Sequence, residues 1–301
     1  MKNGIADNFK EDPSDIKQSF ADINIQLHCC RYWMLSEWEC TNMAFPFWRL
    51  YHNSISGASV YYKDICTNLI TDKIIIIPPN TSFSTSLACR PEDSAKERIA
   101  GKRISSLAEI EELADKHMVD HLFIHFNLGL SYDSIHPGVY EFPVTGFTSS
   151  MLQEIKNNSI NNSVNYNFHA GLPVQILILY LLKQIPDDKW KSRNMDKRVI
   201  KAYDFIENNI NQKLSNKALA EKANMAVNSF ARLFKENAGV TIQQYAQKKK
   251  IDKSLVLLHH SNKSIDEIAN ECGFIDRHHF SKVFKQVMKM PPVFYRQRLT
   301  F

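Results

Sequence analysis

Two short stretches of the chain carry side chains suited to reading the edges of DNA bases: Asn228, Ser229, Ala231 and Arg232, then Arg277, His278, His279 and Lys282. Arg and Lys donate to guanine O6 and N7, Asn pairs with adenine N6 and N7, and a short apolar group such as Ala231 meets a thymine methyl. Arg232 and Lys282 hold the same place in their stretches, which makes them the first choice for base contacts. Lys248 and Lys249 lie between the clusters and suit phosphates, the commoner target of any single cation.

The elements that would position these groups recur. Leu219-Ala220, Ala223, Met225, Phe230 and Phe234 are matched by Ile268-Ala269, Cys272, Phe274, Phe280 and Phe284. The offset is 49 positions as far as Met225 and Phe274, and 50 from Phe230 and Phe280 onward. One extra residue therefore falls in a turn between two helices, and the pattern is that of a helix–turn–helix written twice. Ala220 and Ala269 are small where helices cross closely, while Phe230, Leu233, Phe234, Phe280, Val283 and Phe284 fill two small cores. Capping residues mark the helix ends. Ser215 precedes the first unit, Thr241 with Gln244 and Ser264 with Glu267 match capping boxes, and Asp276 precedes the second cluster. Gly239 sits where a left-handed stop is wanted. Residues 242–258 read as one helix of about 25 Å, a spacer that would set the two heads near one DNA turn, ~34 Å, apart.

Charge follows the same division. Residues 197–301 hold 19 Lys and Arg against 9 Asp and Glu, a net of +10, whereas the rest of the chain nets −5. A basic module on an acidic body fits phosphate neutralisation by one part and another task for the other.

That other part reads as strands. Residues 45–51, 58–62, 74–77, 121–126 and 139–142 are β-branched or aromatic, separated by Ser56-Gly57, Pro78-Pro79-Asn80 and His136-Pro137-Gly138. Residues 90–117 form an excursion, helical in its second half through Leu107, Ile110, Leu113 and Ala114. Residues 157–167 are Asn/Ser-rich and read as a surface loop. Residues 172–185 read as a helix opened by Pro173 and closed before Pro186, with nine apolar residues among the eleven from Leu172 to Leu182. So apolar a helix needs cover, from the sandwich of its own chain or from the matching helix of a second copy. The expected homodimer would then break on placing glutamates at Leu177 and Leu181.

The whole reads as a two-domain α+β chain. Residues 1–20 are a flexible N-terminus, 21–185 a β-sandwich or cupin-like domain with a terminal helix, 186–196 a linker, and 197–301 an all-α module with two helix–turn–helix units. The first twenty residues lack the apolar core of a secretion signal, and the longest apolar run is far short of a membrane span. Six scattered cysteines show no paired metal spacing, as expected of free thiols in a reducing cytoplasm, here at the nucleoid.

The C-terminal hundred residues resemble the AraC/XylS family of bacterial transcriptional regulators. The likeness runs from Lys250-Ile251 through Leu258, Ile265, Ile268-Ala269, Gly273-Phe274, Phe280, Phe284-Lys285 and Met290-Pro291-Pro292 to Tyr295-Arg296. It implies recognition helices over 226–236 and 277–285, with Asn228, Ala231, Arg232, Arg277, His278 and Lys282 at positions the family uses on bases. It also implies a cupin-like N-terminal domain that binds an effector, dimerises, or both, and a promoter with its RNA polymerase as partners. Ala226 stands where the family often has a capping Ser, Lys289 where it often has Gly, and Lys250 and Ser254 replace a common Arg and Ala.

In the N-terminal part, Trp48, Arg49, Tyr51, Tyr61 and Tyr62 are candidates to line an apolar ligand pocket, although strand aromatics are more often core. His52, His121 and His125 could suggest a cupin metal site, since His121 and His125 would share one strand face. Without a following Glu or a Gly-rich frame they read as satisfied histidines, and neither metal nor cofactor is expected. The rival to a DNA-binding regulator without catalysis is a metal-dependent cupin enzyme carrying a helical appendage.

Overall fold

A computed structural model of the protein describes residues 23–87, 98–114, 118–128, 135–161, 166–190, 196–212 and 214–297. The expected flexible N-terminus, the first part of the 90–117 excursion and residues 191–195 of the expected linker lie outside the described residues.

The N-terminal domain is built on an antiparallel sheet of β1 (Gln26–Met43), β2 (Trp48–His52), β3 (Ala58–Tyr62), β4 (Ile65–Leu69), β5 (Lys73–Ile77), β6 (Phe83–Ser86), β7 (Arg98–Arg103), β8 (Val119–Asn127) and β9 (Tyr140–Pro143). Its order is β4-β3-β6-β1-β8-β2-β5-β9, with β7 also paired to β1. The strands expected of a sandwich or small barrel thus join in one antiparallel sheet. The 18-residue β1 pairs with three of its strands. Its early residues pair with β8 as far as Leu35, and Cys40 and Met43 pair with β6 across irregular register.

Each face of the sheet is covered by a different partner, because alternate residues point to opposite sides. Trp48, Leu50, Ile74, Ile76, Leu122, Ile124 and Phe126 face α1 (Leu107–Ala114), α2 (Gly146–Asn161) and α3 (Phe168–Leu182). Tyr51, Ile75, Ile77 and Phe123 face the other way and share a core with the C-terminal domain.

Three expectations need correction here. The polar stretch from Asn157 is not all loop, since α2 continues to Asn161 with Ser159 buried against Tyr166. Pro173 does not open its helix. Asn167 caps α3 six residues earlier, its side chain accepting from Ala170 N at 2.9 Å. Leu177 and Leu181 do not face outward either, being wholly buried within their own chain. The exposed apolar face of α3 is Ile176, Leu179 and Tyr180, continued by Phe168 and by Phe147 of α2, whose ring lies 4.8 Å from that of Tyr180. The stretch read as a linker begins docked: Trp190 bridges to Ile135 and packs on Trp48.

The C-terminal domain is helical: α4 (Lys197–Asn208), α5 (Asn216–Lys222), α6 (Val227–Ala238), α7 (Ile242–His260), α8 (Ile265–Glu271), α9 (Arg277–Met288) and α10 (Pro292–Gln297). No helix among the described residues is long and apolar enough to cross a membrane. Helix α7 spans both units. Its first half packs with α4, α5 and α6, and its second half with α8, α9 and α10.

Candidate nucleic-acid interface and ligand cavity

Each helix–turn–helix is assembled by the same local chemistry. Ser215 accepts from Ala218 N, and Ser264 closes a capping box with Glu267. The turns then repeat: Met225 N donates to Ala220 O, and Phe274 N to Ala269 O, each at 2.9 Å. Asn224 at φ 52° and Gly273 at φ 68° supply the left-handed residue. The extra residue of the second unit is Ile275, 86% exposed just before the cap Asp276.

On α6 and α9 the aromatic pairs Phe230/Phe234 and Phe280/Phe284 are fully buried. Asn228, Ser229 and Arg232 are therefore exposed on the opposite side of α6, with Ala231 half-buried, and Arg277, His278, His279 and Lys282 are exposed on α9. Arg232 Nε donates to Glu236 Oε1 at 2.9 Å, and Arg277 Nη1 to Asp266 Oδ2 at 3.3 Å. Both pairs are exposed, so they hold the side chains weakly and can exchange for phosphate or base. Lys248 is exposed, whereas Lys249 is tied back to Glu207 of α4 at 2.8 Å. The two recognition helices start differently. Asp276 accepts from His279 N at 2.7 Å, while Ala226 gives α6 no side-chain cap.

Between the sheet and the C-terminal domain lies a narrow cavity of about 60 Å³. Its walls are largely apolar, among them Leu35, Trp38, Phe45, Phe83 and Phe123, and His259 of α7 contributes to them. Of the five sequence candidates only Arg49 and Tyr51 line it. Trp48 points into the opposite core, and neither Tyr61 nor Tyr62 reaches the wall. Arg49 is almost wholly buried, its guanidinium 3.4 Å from the centre of the Phe45 ring, and burial lowers its pKa. No carboxylate of the described residues pairs with it. Tyr51 hydrogen-bonds it, but a buried guanidinium without a counter-charge is costly unless an anion meets it.

The histidines divide. His52 Nε2 lies 3.1 Å from Thr71 O and His121 Nδ1 2.8 Å from Asn53 Oδ1, so no cupin-style metal group forms around them among the described residues. Burial pushes His52 down to about 4, helped by Lys156, and His121 down to about 3. Close by, Asp120 is fully buried. Burial alone would raise its pKa, but Lys156 at 3.1 Å and the N–H groups of Ser54 and Ile55 hold it below the usual carboxylate range. The histidines at the end of α7 were missed from sequence. Nothing in a helix-terminal His-His pair says that a sheet will pack on it.

Comparison with known proteins agrees with the helix–turn–helix units. A helix-turn-helix domain model matches residues 219–298. The HTH-type transcriptional activator RhaR of Mannheimia succiniciproducens is 27% identical over 145 residues, 48% of this chain and 51% of that protein. The activator RhaS of Salmonella paratyphi B is 28% identical over 124 residues, 41% and 44% of the two chains. The chain thus spans about half the length of the activators it matches. Among solved structures it overlays ToxT from Vibrio cholerae with a TM-score of 0.49 and 15% identity, over 92% of this chain and 98% of that one. The C-terminal domain is an AraC-type helix-turn-helix domain, and the AraC/XylS resemblance holds.

Proposed function

We propose that the chain is a sequence-specific transcriptional regulator that reads double-stranded DNA through α6 and α9 and acts by binding, without catalysis. One observation carries this reading: two equivalent helices lie over equivalent aromatic pairs and expose Asn228, Arg232, Arg277 and Lys282. The net charge of +10 on residues 197–301 supports it. The cavity takes a small, largely apolar effector whose anionic group meets Arg49, and because His259 of α7 lines that cavity, occupancy is felt by α7. The exposed face of Ile176, Leu179, Tyr180, Phe147 and Phe168 makes a homodimer, which places two reading domains on one promoter beside RNA polymerase. The setting is the cytoplasm.

Selection from a random duplex pool tests the DNA claim. Enrichment of paired motifs about 10 bp apart is expected; a pool that stays random after selection overturns sequence-specific reading. For the dimer, Ile176→Glu with Leu179→Glu should convert sedimenting dimers to folded monomers. A wild type that sediments as a monomer at micromolar concentration removes that part of the reading.

A further inference from the structure

Three metal-ligating side chains from distant parts of the chain converge on the seam between the domains. Cys29 comes from β1, His125 from β8 and His260 from the last residue of α7, and their donor atoms all lie within 4.8 Å of one another. His125 Nδ1 stands 3.3 Å from His260 Nε2. Two imidazole nitrogens on a tetrahedral ion, each 2.0–2.1 Å from the metal, are also about 3.3 Å apart. We propose that Cys29, His125 and His260 form a binding site for a borderline-soft d-block cation, Zn²⁺ in the first instance, which ties the N-terminal sheet to the DNA-binding domain.

The donor set is one such ions prefer, one thiolate and two imidazoles. Burial keeps both imidazoles neutral, which is their ligating form. It also pushes the Cys29 thiol up to about 12, so the metal must displace the thiol proton, and one proton leaves for each ion bound. The surroundings are unusual for an apolar core. The rings of His28, His125, His259 and His260 crowd together, with His259 and His260 centred 4.5 Å apart and His125 and His260 5.1 Å apart. Nearby Arg49 adds positive charge, so the fourth position favours an anion, hydroxide or a carboxylate entering from the cavity.

The site also has a consequence for binding. His260 ends the helix that carries both helix–turn–helix units, directly before α8. A metal that clamps it to β1 and β8 restrains the second recognition helix relative to the N-terminal sheet.

Co²⁺ titration into the metal-free full-length chain is the test. One equivalent should produce a thiolate-to-cobalt charge-transfer band and the intense visible bands of a tetrahedral ion, both bleached by Zn²⁺. Cys29→Ser should abolish the charge-transfer band, and His260→Gln should weaken Co²⁺ binding at least ~10-fold. Cys66→Ser, at an exposed cysteine away from the seam, should change neither. A wild type without a stoichiometric band, or a charge-transfer band that survives Cys29→Ser, overturns the proposal. Should Cys29→Ser fail to fold, the rise in Tm with Zn²⁺ decides. It should appear in the wild type and vanish in His260→Gln; equal rises overturn the site.

Discussion

Beneath the first recognition helix, Phe230 and Phe234 pack with Tyr203 and Tyr245 in a core closed by α4. Beneath the second, Phe280 and Phe284 join a core that runs on through Leu255 and Leu258 into the N-terminal sheet. Two units of one design thus rest on different supports. The first is self-contained, and the second leans on the domain that holds the cavity. A change in the cavity would reach the second unit through shared packing, and the first through α7 and the contact of Gly273 with Asn211. Detail follows the same split: Gly273 is pressed against the chain after α4, while its counterpart Asn224 carries a side chain.

Acid should separate the two units most strongly. Unfolded imidazoles titrate near 6.5, whereas His52 and His121 are held at about 4 and about 3, so between those values the unfolded chain binds more protons. Their contribution is complete above pH 6.5 and is lost as pH falls, by up to about 1.4 kcal/mol per pH unit for each imidazole. Hydrogen exchange at pH 7 and pH 5 should show the sheet and α8–α10 losing protection before α4–α6. Equal loss in both units would erase the distinction between their supports.

Gly273→Ala comes next. A Cβ there would lie 2.6 Å from Asn211 Cα, at a φ of 68°. Left-handed strain and overpacking together should cost about 2–5 kcal/mol. Asn224→Ala, where a Cβ already fits, should cost no more than ~1 kcal/mol. Urea unfolding of the two variants measures the difference, and equal costs would mean that the two turns are equivalent after all.

Two smaller changes should gain stability. Lys289 ends α9 at φ 61°, a conformation in which Gly239 ends α6 without strain. Lys289→Gly should therefore add about 1 kcal/mol. Ala226→Ser supplies the side-chain cap that α6 lacks and that Asp276 gives α9, for a gain of about 0.5–1 kcal/mol. Thermal melts of the full chain check both; a loss in either would show that the helix end is satisfied by other means.

What could be read from sequence was what local chemistry decides. Ser215, Thr241, Ser264, Asp276 and Gly239 each cap the helix expected of them, and the extra residue of the second unit falls in its turn. Asn167 was an equally good capping signal, overlooked in favour of Pro173. Other features depend on tertiary cover. Strand β1 serves two cores and a register irregularity, so its 18 residues show no clean alternation. In β2 the alternation of Trp48 and Arg49 could be read, but both faces of the sheet are apolar and covered, so the pattern does not say which one holds the cavity. The same holds for His259 and His260, which meet the sheet only once the domains are packed.

The central claim, that both helices read bases, is tested most directly by fluorescence anisotropy of Arg232→Ala and Lys282→Ala on a selected duplex and on random DNA. Each substitution should weaken the selected site by about 1–3 kcal/mol and random DNA by much less. Equal losses on both duplexes, or a wild type with no preference between them, would contradict it.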